Sequence, residues 1–395
     1  MKPLSEITTQ FSESVIREMT RVSSAKGGLN LAQGFPDFDP PSAIRRAAVD
    51  AIQAGQNQYA VTFGEADLRE AIAGKARRYN GISCDPLTEV TVTCGATEAM
   101  IATLRALVNP GDEIIIFEPF YENYGPDAIL SGAGPRYVAL RPPDWSFDSD
   151  ELAGAFNRHT KAIIINTPNN PTGKVFSRRE LTEIGRHCRR WDVLAVTDEI
   201  YEHILYDGER HVSMGSLPGM ADRTVTINSL SKTYSVTGWR VGWAIARSDI
   251  TQRIRKVHDF LTVGAPTPFQ KAGVHALGLA DDYYETLRQR YERARDRICS
   301  ALKKVGFEFE TPKGAYYIMA RAGDLMARYH LERAYDLCLK LIEITGIATV
   351  PGTAFYRSPA QGNDQVRFCF AKNEDTIANA CSRLERILDL PEEEA

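Results

Sequence analysis

From about position 90 the chain alternates between short apolar runs and amphipathic stretches. VTVTC (90–94), EIIIF (113–117), AIIIN (162–166), VLAVTD (193–198) and TVTIN (224–228) are β-branched runs of five or six residues. Runs of this length and composition predict buried strands. Helical patterns separate most of them, among them ATEAMIATLRALV, which NPGD ends, and SRRELTEIGRHCRRW (177–191). The alternation predicts an α/β fold, a mostly parallel central sheet flanked by helices on both faces. Before it, Phe11, Val15, Ile16, Met19 and Val22 form an amphipathic stripe that ends before Lys26-Gly27-Gly28. LNLAQGFPDFDPP then reads as a short strand running into a Pro/Asp/Gly loop. Helical patterns fill 267–304, and from FEFE (307–310) onward strands and helices mix as in an α+β layer. The expected organisation is an N-terminal arm and part of a small domain (1–47), a large α/β domain (48–285) and a C-terminal small α+β domain (286–395).

Composition narrows this little. With 395 residues, 43% hydrophobic and 25% charged, the chain can bury a large core, and its net charge of −4 offers no basic field for nucleic acid or an acidic membrane. No apolar run approaches the roughly 18 residues of a spanning helix, and the N-terminal stretch lacks the apolar core of a signal peptide. Seven scattered cysteines without a C-x-x-C pair suit reduced thiols and a cytoplasmic location. The seven histidines show no ligand spacing, so no metal site is expected.

Four polar clusters begin where apolar strands end, which is where open α/β sheets bind ligands. In CGATEA (94–99), the backbone N–H groups of Gly95, Ala96 and Thr97 stand at a strand-to-helix turn suited to an anion; a plain helix cap is the competing reading. NTPNNPTG (166–173) holds Asn170 before a proline, in a fixed direction suited to one hydrogen bond, or is an ordinary Asn-rich loop. In TDEIYEHI (197–204), Asp198 ends a strongly apolar strand, where a carboxylate wants a cationic partner such as a protonated ring nitrogen, and Tyr201 follows three residues on; the alternative is a capping Asp. SLSKTYSVTGWRVGW (229–243) places Lys232 in a tight turn, where desolvation and nearby cations lower an amine's pKa and free it to attack a carbonyl. Ser229 and Arg240 flank it and can hold an anion; a surface lysine is the plain alternative. Finally, QVRFCFAKNEDTI (365–377) points Arg367 to one face of an alternating strand, toward a substrate carboxylate or an intramolecular salt bridge.

Taken together, these residues resemble the class I aminotransferases, enzymes of the fold type I pyridoxal 5′-phosphate (PLP) family, over nearly the whole chain. The subgroup most similar contains kynurenine, glutamine, methionine and aromatic aminotransferases, with N-succinyl-diaminopimelate aminotransferases nearby. The resemblance implies PLP as cofactor, with Lys232 as its Schiff-base lysine. It gives Asp198 the pyridine nitrogen, and Asn170 and Tyr201 the phenolic oxygen. Gly95, Ala96, Thr97, Ser229 and Arg240 form the phosphate cup, and Tyr121, in EPFYENY, stacks on the ring. Tyr59, in NQYAVTFG, reaches the phosphate of the neighbouring subunit, which implies a homodimer. Gly34 and Arg367 clamp the substrate carboxylate beside Phe35 and Asn170.

The implied activity is ping-pong transfer of an amino group from an L-amino acid to a 2-oxo acid. The phosphate loop reads Gly95-Ala96-Thr97-Glu98 without a lysine, and VGAPTPFQ (263–270) has no arginine, so the extra cation of aspartate aminotransferases is missing from both expected places. Phe35, Tyr59, Phe63 and Tyr121 favour aromatic or large apolar donors. Competing readings are a cysteine-S-conjugate β-lyase or other PLP elimination enzyme, an aspartate or N-succinyl-diaminopimelate aminotransferase, and a non-catalytic aminotransferase-like sensor domain.

Overall fold

The computed structural model describes residues 2–358 and 360–388. Thirteen strands are present among them: β1 Leu29–Asn30, β2 Val90–Thr93, β3 Glu113–Glu118, β4 Gly134–Arg141, β5 Ser146–Phe147, β6 Thr160–Asn166, β7 Leu194–Asp198, β8 Thr224–Ser229, β9 Gly242–Ile245, β10 Tyr317–Arg321, β11 Ile347–Ala348, β12 Val350–Pro351 and β13 Gln365–Cys369. Eight build one sheet in the order β2-β9-β8-β7-β6-β3-β4-β5. The five central strands from β8 to β4 run parallel, and β9, β2 and β5 add antiparallel edges. The mostly parallel α/β sheet read from the sequence is thus present. The apolar runs have a plain cause: Ile115, Ile163 and Ala195 pack into the core on one face, and Ile114, Ile164 and Val196 into the core on the other. With both faces covered, neither parity of position can be polar.

Three strands of the large sheet, β4, β5 and β9, were not evident in the pattern. In β4 the run GPRYVALR carries a proline and two arginines. In β9 the run GWAI is only four residues long and starts on glycine, straight after a turn.

The C-terminal part forms a three-stranded antiparallel sheet, β10-β13-β12, and β1 pairs with β11 across most of the chain length. Helix α1 (Val15–Ala25) starts where the Ser14 hydroxyl accepts from Arg17 N at 3.3 Å, and buries Ile16 and Met19 as its stripe requires. Helix α2 is Ala96–Leu107, α3 is Tyr124–Leu130, and α4 is Arg178–Trp191, which opens on a Ser177/Glu180 capping box. Helix α5, Asp281–Lys304, runs unbroken through position 285. No described helix is long and apolar enough to cross a membrane.

What the topology does for function is simple. Strands β6, β7 and β8 are adjacent and parallel, so their carboxyl ends share one edge. Asn166 pairs with Asp198 in register, and Asp198 with Ile227, two residues before Ser229.

Candidate active site

A cavity of about 460 Å³ opens at that edge. Gly34, Phe35, Ala96, Thr97, Tyr121, Asn170, Asp198, Tyr201, Ser229, Lys232, Arg240 and Arg367, all singled out from sequence, line it.

One end can hold an anion. Gly95 is the N-cap of α2 with φ +86°, a left-handed value that glycine adopts readily, and no side chain caps the first turn. The N–H groups of Ala96 and Thr97 are therefore at the disposal of a ligand, with the helix dipole behind them. Arg240 closes over this turn: its guanidinium donates to Thr237 O at 3.0 Å and Cys94 O at 3.4 Å. A Cβ on Gly95 would sit 2.4 Å from an Arg240 nitrogen. Ser229 ends β8 beside them.

Asp198 lies at the deep end. Its Oδ2 accepts from the Tyr124 hydroxyl at 2.7 Å and its Oδ1 from Ile200 N at 3.3 Å. Burial raises its pKa to about 6, against those two hydrogen bonds, which lower it. Lys232 stands opposite on the wall. Its pKa is pushed down to about 8, first by withdrawal from water and further by Arg240 and Arg367, while Cys369 and Asp198 oppose the shift. A substantial share of the amine is thus neutral near pH 8. At present Lys232 Nζ donates to Gly34 O at 3.1 Å.

The third side is a buried arginine. Arg367 is 1% exposed, donates to Asn170 Oδ1 at 2.8 Å and Ala32 O at 2.5 Å, and is sandwiched between Tyr317 and Phe355. No carboxylate pairs with it among the described residues, and its Nε has no partner. The intramolecular salt bridge considered from sequence is therefore absent. Gly34 is required here because a Cβ would fall 1.8 Å from Tyr317 Oη. Asn170 is fixed from behind as well, its N–H donating to Asn166 Oδ1 at 2.7 Å. Tyr201 Oη lies 3.1 Å from Tyr317 Oη.

Tyr59 stands apart, 86% exposed and outside this cavity. Phe63 does not line it either; the guanidinium groups of Arg69 and Arg255 stack on its ring. The aromatic pocket expected from four residues thus keeps only Phe35 and Tyr121 of that set, and gains Tyr124 and Tyr317. Tyr124, Tyr317, Arg17 and Asp127 also line the cavity without having been singled out. Tyr124 was legible in principle, three residues beyond Tyr121 in EPFYENY; the others depend on how α1, α3 and β10 pack. Behind Asp198, Glu199, Glu202 and His211 gather oxygen and nitrogen atoms within 4.8 Å of one another. Lys75, Asn80 and Ser213 already bond these carboxylates.

The chain matches the family model Aminotransferase class I and II over residues 26–384. It is 38% identical to a probable N-succinyldiaminopimelate aminotransferase of Mycobacterium tuberculosis, covering 96% of this chain and 98% of that protein. It is 36% identical to human kynurenine–oxoglutarate transaminase 1, over 91% and 92% of the two chains. A solved structure from Escherichia coli with a methionine aminotransferase function superposes with a TM-score of 0.91 at 34% identity, covering 97% and 99%. Enzymes of this family depend on PLP. The donor set fits that cofactor: an uncapped helix start and arginine for its phosphate, an amine for its aldehyde, a buried carboxylate for its ring nitrogen. The chain belongs to the class I and II aminotransferases and is a PLP-dependent enzyme of that family.

Proposed function

We propose that the enzyme moves the amino group of aromatic or large apolar L-amino acids to a 2-oxo acid by a ping-pong route. PLP, when bound, supplies the aldehyde that captures the amine and the ring that accepts electrons from the substrate's Cα. The chain's own residues do the rest. Ala96, Thr97, Ser229 and Arg240 hold the phosphate, and Gly95 lets the turn approach it. Tyr121 stacks on the ring, and Asn170 and Tyr201 bond its phenolic oxygen. Asp198, as the anion, keeps the ring nitrogen protonated. Arg367, with Asn170 and Gly34, binds the substrate carboxylate, which Arg367's missing anionic partner supports. Lys232 Nζ, released from the cofactor, takes the proton from Cα and redelivers it; a base near pKa 8 suits that task.

The observation behind the donor preference is the wall beyond Arg367, where Ile16, Phe35 and Tyr317 face the cavity. A second reading has its own support. Arg17, on the exposed side of α1, lines the same cavity and forms no ion pair among the described residues. It favours a substrate or acceptor with a distal carboxylate. Steady-state kcat/KM over a panel of phenylalanine, tyrosine, kynurenine, methionine, glutamate and aspartate decides between them. The first reading predicts that the aromatic donors lead and that Arg17→Gln leaves their ranking intact. Leadership by the dicarboxylates, lost about ten-fold in Arg17→Gln, would transfer the proposal to the second.

The working unit is proposed to be a homodimer, in the cytoplasm. The exposed Tyr59, Val61, Phe260, Leu261 and Val263 supply an apolar surface beside the site. Their two segments are tied together where His258 bonds Thr62 O at 2.6 Å. All seven cysteines are free.

A further inference from the structure

We propose that Tyr124 is a positioning residue that orients Asp198 and holds it in the anionic form. This rests on the cofactor chemistry of the family and not on which amino acid is the donor.

The geometry is specific. Asp198 is 5% exposed and Tyr124 is 3% exposed. A carboxylate so enclosed pays a desolvation cost that favours the neutral acid. Neutral Asp198 would have no use for a protonated ring nitrogen. The phenol donates to Oδ2 at 2.7 Å, while Ile200 N donates to Oδ1 at 3.3 Å. The shorter of the two bonds therefore comes from a side chain on α3, not from the strand end that carries Asp198. The groups electrostatically coupled to the carboxylate are Lys232, which favours the anion, Glu199, which disfavours it, and the phenols of Tyr121, Tyr124 and Tyr201. Of these, only Tyr124 donates a side-chain hydrogen bond to it.

Tyr124 also stands edge-on to Tyr121, with ring centroids 5.7 Å apart at 79°. One turn of α3 therefore sets both the carboxylate at one edge of the cofactor ring and the aromatic that covers its face. Moving Tyr124 moves both.

Tyr124→Phe removes the donor and keeps the ring. In the apo protein, ¹³C-labelled aspartate NMR reads the Asp198 midpoint, identified by its loss in Asp198→Asn. The midpoint is expected to rise in Tyr124→Phe by about one unit, the sign that follows when a bond to the anion is deleted. In protein reconstituted with PLP labelled by ¹⁵N in the ring, the wild-type nitrogen is expected to stay at the pyridinium position from pH 6 to 9. In Tyr124→Phe it is expected to lose that position within the range, with PLP affinity about ten-fold weaker. Tyr317→Phe deletes another buried hydroxyl in the same cavity and is expected to leave the Asp198 midpoint in place. An unchanged Asp198 midpoint in Tyr124→Phe, or an equal effect in Tyr317→Phe, overturns the assignment. The apo titration stands even if the substrate reading fails, and it needs no bound cofactor.

Discussion

Asp127 shows how much one side chain can hold in reserve. It sits on α3, 7% exposed, with Oδ2 unpartnered, and burial alone raises its pKa to about 7. The folded chain therefore binds a proton that the unfolded chain, with a pKa near 3.8, has released. Stability falls as pH rises from about 4 to about 7, by at most about 4 kcal/mol over that window. Asp127→Asn should remove this slope, so that apo Tm at pH 8 exceeds wild type while the two converge near pH 4. Superimposable pH–Tm curves would count against a buried, unpaired Asp127. Residues of this kind were not legible beforehand. Lys232, Asp198 and Arg367 stood out because each breaks an apolar pattern at a strand end or within a strand. Asp127 and Arg17 sit in helical stretches where charged residues are ordinary, and only packing aims them at the cavity.

The elements carry the site through their ends. Strands β6, β7 and β8 deliver Asn166, Asp198 and Ser229 to one edge because parallel register leaves them no other place. The turn from β2 into α2 is the most demanding of these ends. Gly95→Ala would strain the positive φ and press a Cβ against Arg240. The expected result is PLP affinity down at least about ten-fold with the fold retained, read by fluorescence titration and circular dichroism. Wild-type affinity in that variant would mean the turn is not the phosphate cup. Sequence periodicity located this turn, since VTVTC and ATEAMIATLRALV meet at it. It did not locate β9, which lies against β2 and completes the sheet beside it. A four-residue strand opening on glycine has too few alternating positions to register as a strand.

At the scale of the whole molecule, one apolar core draws on distant parts of the chain. A single cluster joins Ile16 and Met19 of α1, Ile115 and Ile163 of the large sheet, and Phe368 and Ile377 near the C-terminus. The N-terminal arm is bound in by β1 pairing with β11, a contact no local pattern announces. Tyr59 belongs to this scale too. If it completes the phosphate site of a second copy, Tyr59→Phe should weaken PLP binding several-fold while sedimentation velocity still shows a dimer. A monomer that binds PLP with wild-type affinity would remove both the homodimer and the shared site. The central claim, that this edge of the sheet transfers amino groups, has a direct test. PLP-loaded enzyme is mixed with an excess of one L-amino acid and no acceptor, and the 2-oxo acid and ammonia released are counted per chain. The expected result is one equivalent of 2-oxo acid, no ammonia, and no further release until a second 2-oxo acid is added. Continuous release of both 2-oxo acid and ammonia without an acceptor would contradict it and place the chemistry among eliminations.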